Sequence, residues 1–182
     1  MRAQPGLTRR FAASESAVSA VEFAVILPFM LVLLLGSFDV ARAIDIKSKL
    51  SILSRTVSDF VSQDQTVTPA QLANIVQASR SVMYPYPFDA SVLTVTVDSI
   101  RLGPDGESYI IDWSYAPANR TDRPADVTPP DSSVVRTKVA YTYNMKFAGF
   151  LFERLGMNQL TLKSETYMAP RWGTPVEAQS FP

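Results

Sequence analysis

The sequence predicts an α+β protein: a long N-terminal helix, first apolar and then amphipathic, and a second helix, packed on a roughly four-stranded, mainly antiparallel sheet. Three observations predict it. Residues 17–38, AVSAVEFAVILPFMLVLLLGSF, form an apolar run long enough for a membrane helix. Residues 39–63 repeat apolar side chains at the helical period. From about residue 91 the period changes to two, the signature of strands. Helices laid on one face of an antiparallel sheet bury both sets of apolar positions.

The lead-in MRAQPGLTRRFAASES carries Arg2, Arg9 and Arg10 against Glu15. As a helix, the run from Ala17 to Phe38 is roughly 33 Å long at about 1.5 Å per residue, close to the hydrocarbon thickness of a bilayer. A secretory signal has a shorter apolar region, typically about 7–15 residues, ending in a small-residue cleavage site. Here the run ends in Asp39-Val40-Ala41-Arg42 with no such site, so the segment reads as an anchor that stays. Arg42, Lys47 and Lys49 follow it closely, which nearly balances the positive-inside count. The α-amine tips the count toward a cytoplasmic N-terminus with the larger C-terminal part outside.

Two residues in the run need a reason. Pro28 has no N–H, so the carbonyl of Ala24 loses its helical partner, and a bend or local melting is expected; membrane helices also tolerate proline. Glu22 lies near the start of the run, where a snorkelling carboxylate can reach the headgroups; at the bilayer centre it would cost roughly 2.5–3.5 kcal/mol. No lysine or arginine lies between Ala17 and Phe38 to pair with it. A cut after Ala17 would supply a cation, because the new α-amine of Val18 would sit one helical turn from Glu22.

The stretch Ala17-Val18-Ser19-Ala20-Val21-Glu22-Phe23 resembles the processing motif of type IV pilin-like proteins, and AVEFAVILPFMLVLLLGSFDVAR is similar to the start of the TadE-like family of minor pilins and pseudopilins of Tad (tight adherence) pili. The resemblance implies cleavage between Ala17 and Val18 by a prepilin peptidase. It further implies that Glu22, with Phe23 and Pro28, sets subunit register during assembly. Partners implied are the major and other minor pilins, the inner-membrane pilus platform and membrane lipid. The implied place is the bacterial inner membrane, single-pass, with a short cytoplasmic leader and a periplasmic domain, or the surface pilus. The sequence departs from the motif at Ala17, where such peptidases favour glycine. An uncleaved membrane assembly factor is therefore a second reading. The division that follows is a basic leader 1–17, a membrane helix 18–38, a helix continuation and linker 39–67, a pilin-like α+β domain 68–170 and a mobile tail 171–182.

Beyond the run, Ile46, Leu50, Leu53, Val57 and Phe60 recur at spacings of three and four, one stripe over about four turns. The stripe suits packing on the protein's own sheet, on neighbouring subunits, or on a membrane surface. Thr68-Pro69-Ala70-Gln71 is a helix start, with Thr as N-cap, Pro in the first helical position and Gln three residues after the cap. Leu72, Ile75, Val76, Ser79 and Met83 then share one side, and Tyr84-Pro85-Tyr86-Pro87 ends the helix as a stiff connector. SVLTVTVDSIRL alternates as a half-buried strand; Gly103-Pro104-Asp105-Gly106 turns it into SYIIDWSY, completing a hairpin. Residues 116–133, rich in Pro, Asp and Ser, read as an exposed loop. VVRTKVAYTYNM and LTLKSETYM are two further strands. FAGFLFERLG between them is an apolar turn or short helix, suited to the core or to a membrane or partner contact. From Pro170 the sequence has little pattern.

Composition closes off much chemistry. Lys+Arg and Asp+Glu both number 17, a formal net charge of zero, which argues against a nucleic-acid partner. There is no Cys and no His, so the usual zinc, haem and iron–sulfur ligands and the Ser-His and Cys-His nucleophile pairs are missing. No phosphate loop or nucleophile elbow is present, and no cofactor is implied. Asp98, Asp112 and Glu165 fall on predicted strands, and Asp105 and Glu107 flank the turn; solvent or turn roles account for each. Asp122, Asp126 and Asp131 could bind calcium, although their spacing lacks the EF-hand pattern. A signal-anchored enzyme using carboxylates stays open beside the structural reading.

Overall fold

The computed structural model describes residues 15–105, 108–115, 130–146, 149, 153, 156 and 158–179. Helix α1 spans Glu15–Gln63; strand β1, Thr66–Val67; helix α2, Pro69–Ser79, continued by a 3-10 turn Arg80–Met83. Strands β2 (Leu93–Leu102), β3 (Tyr109–Tyr115), β4 (Ser133–Asn144), β5 (Gln159–Met168) and β6 (Glu177–Ala178) follow. These residues fall into two units, the described parts of 1–41 with 145–158, and of 42–144 with 159–182.

In the larger unit the main sheet has the order β3-β2-β4-β5, antiparallel throughout, which is the α+β architecture expected. The second half of α1 buries Ile46, Leu50, Leu53 and Val57 completely. Phe60, the predicted end of that stripe, is instead 51% exposed, and Val61 is buried in its place. The reason lies in three serines that a purely apolar count ignores. Ser54, Ser58 and Ser62 are all fully buried. At about 100° per residue they swing the centre of the buried face by roughly a sixth of a turn, onto Val61 and away from Phe60. Ser58 Oγ donates to Thr137 Oγ1 at 2.8 Å, and Ser54 Oγ lies 2.8 Å from Thr166 Oγ1 and 3.3 Å from Ser164 Oγ. Small hydroxyl side chains on both surfaces let the helix approach the sheet while every buried hydroxyl of the seam finds a partner.

Thr68 caps α2 as expected. The Gln71 N–H donates to Thr68 Oγ1 at 3.2 Å and the Thr68 N–H donates to Gln71 Oε1 at 2.9 Å, a reciprocal box with Pro69 in the first position. Leu72, Val76, Ser79 and Met83 face inward. Replacing Thr68 with alanine is expected to cost about 1 kcal/mol of stability, read by urea unfolding of the full chain in detergent.

Strand β2 departs from the half-buried alternation. Apart from Thr94 and Arg101, all its residues are buried. It is paired on both edges, and both its faces are covered. Val97 lies opposite Thr137, on the face that receives α1; Ile100 and Leu102 pack with Val134, Tyr109, Ile111 and Tyr167. Between those groups Asp98 lies opposite Arg136 on β4 and Ser114 on β3.

The segment 170–179, part of the stretch expected to be mobile, is hydrogen-bonded to the end of α1 and to β1. The Arg171 N–H donates to the carbonyl of Ser62 at 3.0 Å and the Trp172 indole N–H to that of Gln63 at 2.8 Å. These are orphan carbonyls at the C-terminal end of α1, which has no basic residue in its own last turn. Arg171 brings the missing cation, bridging Asp59 at 2.7 Å. Val176 is buried and its carbonyl accepts the Trp113 indole N–H at 2.7 Å. β6 then pairs in parallel with β1, Thr66 opposite Glu177. The tail is an end-cap, and its contacts are with residues so distant in sequence that no local pattern announces them.

Candidate membrane and assembly segment

Every described side chain from Val18 to Leu34 is exposed, including Phe23, Phe29 and Leu33, the last at 74%. An apolar surface of this extent on a helix is not left to water. Among the described residues, α1 is the one helix long and apolar enough to cross a membrane by length and composition. Its exposure separates it from a core helix, whose apolar residues are covered by the protein itself.

The Ala17–Val18 bond falls in the first turn of α1, which begins at Glu15; the side chains of residues 15–17 are outside the described set. Val18 and Glu22 are four apart and therefore on one face of the helix. Glu22 is exposed, and no hydrogen bond or ion pair involves it among the described residues. The helix runs through Pro28 without interruption, so the local melting allowed for in the sequence is not present. Loss of a single backbone hydrogen bond is compatible with a helix whose neighbouring turns stay intact.

At the end of the apolar run the environment changes abruptly. Phe38 and Val40 are more than half exposed, whereas Asp39 between them is 3% exposed. Asp39 Oδ1 accepts the backbone N–H of Lys146 at 3.0 Å, and the Met145 N–H donates to the carbonyl of Asn158 at 2.9 Å. The neck of the β4–β5 connection is thus tied to the helix at the residue where the apolar run stops. In the sequence Asp39 stands out only as the end of the run. Most of FAGFLFERLG lies outside the described residues.

The other carboxylates are placed as follows. Asp98, expected in a solvent or turn role, is 1% exposed; its Oδ2 accepts from Arg136 Nε at 2.9 Å and Nη2 at 2.6 Å, and its Oδ1 from Ser114 Oγ. An acid and a base inside two apolar strands were the available signal. Asp112 bridges Arg101 at 3.0 Å on the surface, and Glu165 takes the Tyr167 hydroxyl at 2.7 Å with Lys138 at 3.8 Å. Asp105 accepts the Ser108 N–H at 3.0 Å, the turn role expected. Tyr86 donates to Asp45 Oδ2 at 2.8 Å, and burial followed by that carboxylate raises its phenol above the ordinary range. Glu107, Asp122 and Asp126 lie outside the described residues. Among those described, no three acidic side chains are grouped to hold a metal ion. A cleft of about 940 Å³ is lined by Arg101, Asp112, Trp113, Asp131, Ser132 and Glu177, among others.

The fold and the exposed run define a class: an α+β protein carried on a candidate membrane helix that continues, unbroken, into the spine of its own domain. Residues 17–58, from the expected cleavage point through most of the buried stripe, match the family model described as TadE-like protein, and this segment is similar to that family. No curated protein and no solved structure matches the chain.

Proposed function

We propose that this chain is a minor pilin or pseudopilin that takes part in the assembly or initiation of a Tad-type pilus used for surface attachment, and that a prepilin peptidase cuts it after Ala17. The observation that carries the reading is the coincidence of the TadE-like match at 17–58 with a helix whose apolar side chains are exposed from Val18 to Leu34 and whose Ile46, Leu50, Leu53, Val57 and Val61 are buried. One helix serves both bilayer and domain, which is what a subunit needs if it is to leave the membrane for a filament. The role is structural. Residues 18–38 hold the chain in the inner membrane, the leader is cytoplasmic and the α+β domain is periplasmic, and the pilins, the platform and lipid are its partners. Energy for assembly comes from another protein, since this chain has no nucleotide loop.

Intact-mass or N-terminal sequencing of the protein from its native membrane tests the cut. A mature chain starting at Val18 is the expected result. A chain starting at Met1 would instead favour the uncleaved assembly factor. That second reading draws on Ala17 in place of glycine and on the helical first turn around the bond, which a peptidase has to unwind.

A further inference from the structure

We propose that the neck of the β4–β5 connection is a second membrane contact, held by Asp39 in the headgroup layer, where Lys146 meets anionic lipid. The inference rests on the reading that residues 18–38 span the bilayer. Phe38 is the last residue of the apolar run, and Asp39 follows it by about 1.5 Å of helical rise. The 3.0 Å hydrogen bond from the Lys146 N–H to Asp39 Oδ1 brings the neck to the same level. A helix that crosses the hydrocarbon up to Phe38 therefore carries Met145 and Lys146 to the level at which headgroups begin.

The chemistry of the neck suits that layer. Lys146 is exposed, and a lysine there can lay its stem along apolar surface and extend its ammonium to phosphate. Asp39 is buried beneath it, so its charge is spent on the neck and does not face the lipid. A helix continuing alone into water would have no use for a buried carboxylate at this position. As a tether it fixes the height of the connection through the carboxylate that accepts the Lys146 N–H.

The chain has no cysteine, so single cysteines can be labelled cleanly. Full-length protein carrying Met145→Cys or Leu33→Cys with an environment-sensitive fluorophore, Lys146 being left in place, is put in vesicles of phosphatidylethanolamine and phosphatidylglycerol. The lipids bear a nitroxide quencher either at the headgroup or in mid-chain. The expected result is loss of emission at 145 with the headgroup quencher and little with the mid-chain one, with Leu33 quenched in mid-chain. Adding Asp39→Ala should abolish quenching at 145 and leave Leu33 unchanged, while Asp39→Asn, which keeps an acceptor, should preserve it. If Leu33 is not quenched in mid-chain, the membrane reading itself fails. If Leu33 is quenched and 145 keeps its emission with the headgroup quencher, or Asp39→Ala changes nothing at 145, the tether proposal is overturned alone.

Discussion

Replacing Asp98 with alanine is expected to destabilise the protein by about 3–5 kcal/mol, the range for removing one partner of a buried ion pair. The side chains of Asp98 and Arg136 are 1% and 0% exposed, and the guanidinium makes two hydrogen bonds to one carboxylate oxygen. Taking the carboxylate away leaves a charge in the centre of the sheet and removes the acceptor of the Ser114 hydroxyl. Most of the loss is this desolvation cost, because a charge that cannot be deprotonated has no neutral form to retreat to. The pair as a whole need not be stabilising. Changing both residues together, Asp98→Leu with Arg136→Met, should recover most of the loss or exceed the wild type. Urea unfolding of the full chain in mild detergent, followed by the emission of the buried Trp113, reads each variant. A single Asp98→Ala variant within about 1 kcal/mol of wild type would show that Arg136 does not depend on Asp98.

What could be read from the sequence divides along the distance between interacting residues. The second helix was legible to its first residue, because Thr68, Pro69 and Gln71 settle the cap among themselves. The β2–β3 hairpin and the strands β4 and β5 were legible for the same reason, each declaring its period locally. The apolar run declares a candidate membrane helix by its own length and composition, and the first half of α1 is correspondingly exposed. Features that failed are joined across the chain. Phe60 was placed inside because the serines that rotate the buried face look polar until Thr137 and Thr166 are known to face them. Asp98 looked like a surface acid because its partner lies 38 residues away. The tail looked patternless because its order is supplied by the end of α1, more than 100 residues earlier. Asp39 is the intermediate case. Its position was visible at once, and its use was not, since the Lys146 amide it holds is 107 residues downstream.

On the proposed pilin role, Glu22→Ala is expected to abolish pilus incorporation while leaving membrane insertion intact or easing it. In the bilayer the carboxylate lies near the start of the run and can reach the headgroups, so losing it removes a cost. In a filament the surroundings are apolar helices, and an unpaired carboxylate there is expensive. If processing after Ala17 creates an α-amine at Val18, one turn away on the same face, the two charges can pair within a helix or between neighbours. Breaking such a pair by removing one partner typically costs about 3–5 kcal/mol, which corresponds to at least about 100-fold less incorporation at equilibrium. Glu22→Asp should retain part of the effect, because the charge is kept and only its reach is shortened. Glu22→Gln should behave like alanine, because an amide does not neutralise the amine. The measurement is the amount of this chain in sheared pili against the amount in membranes, with N-terminal sequencing of each variant to separate a failure of cleavage from a failure of assembly. Normal cleavage with lost incorporation supports charge pairing. Equal incorporation of Glu22→Gln and wild type would mean that hydrogen bonding, and not charge, is what the subunit requires at this position.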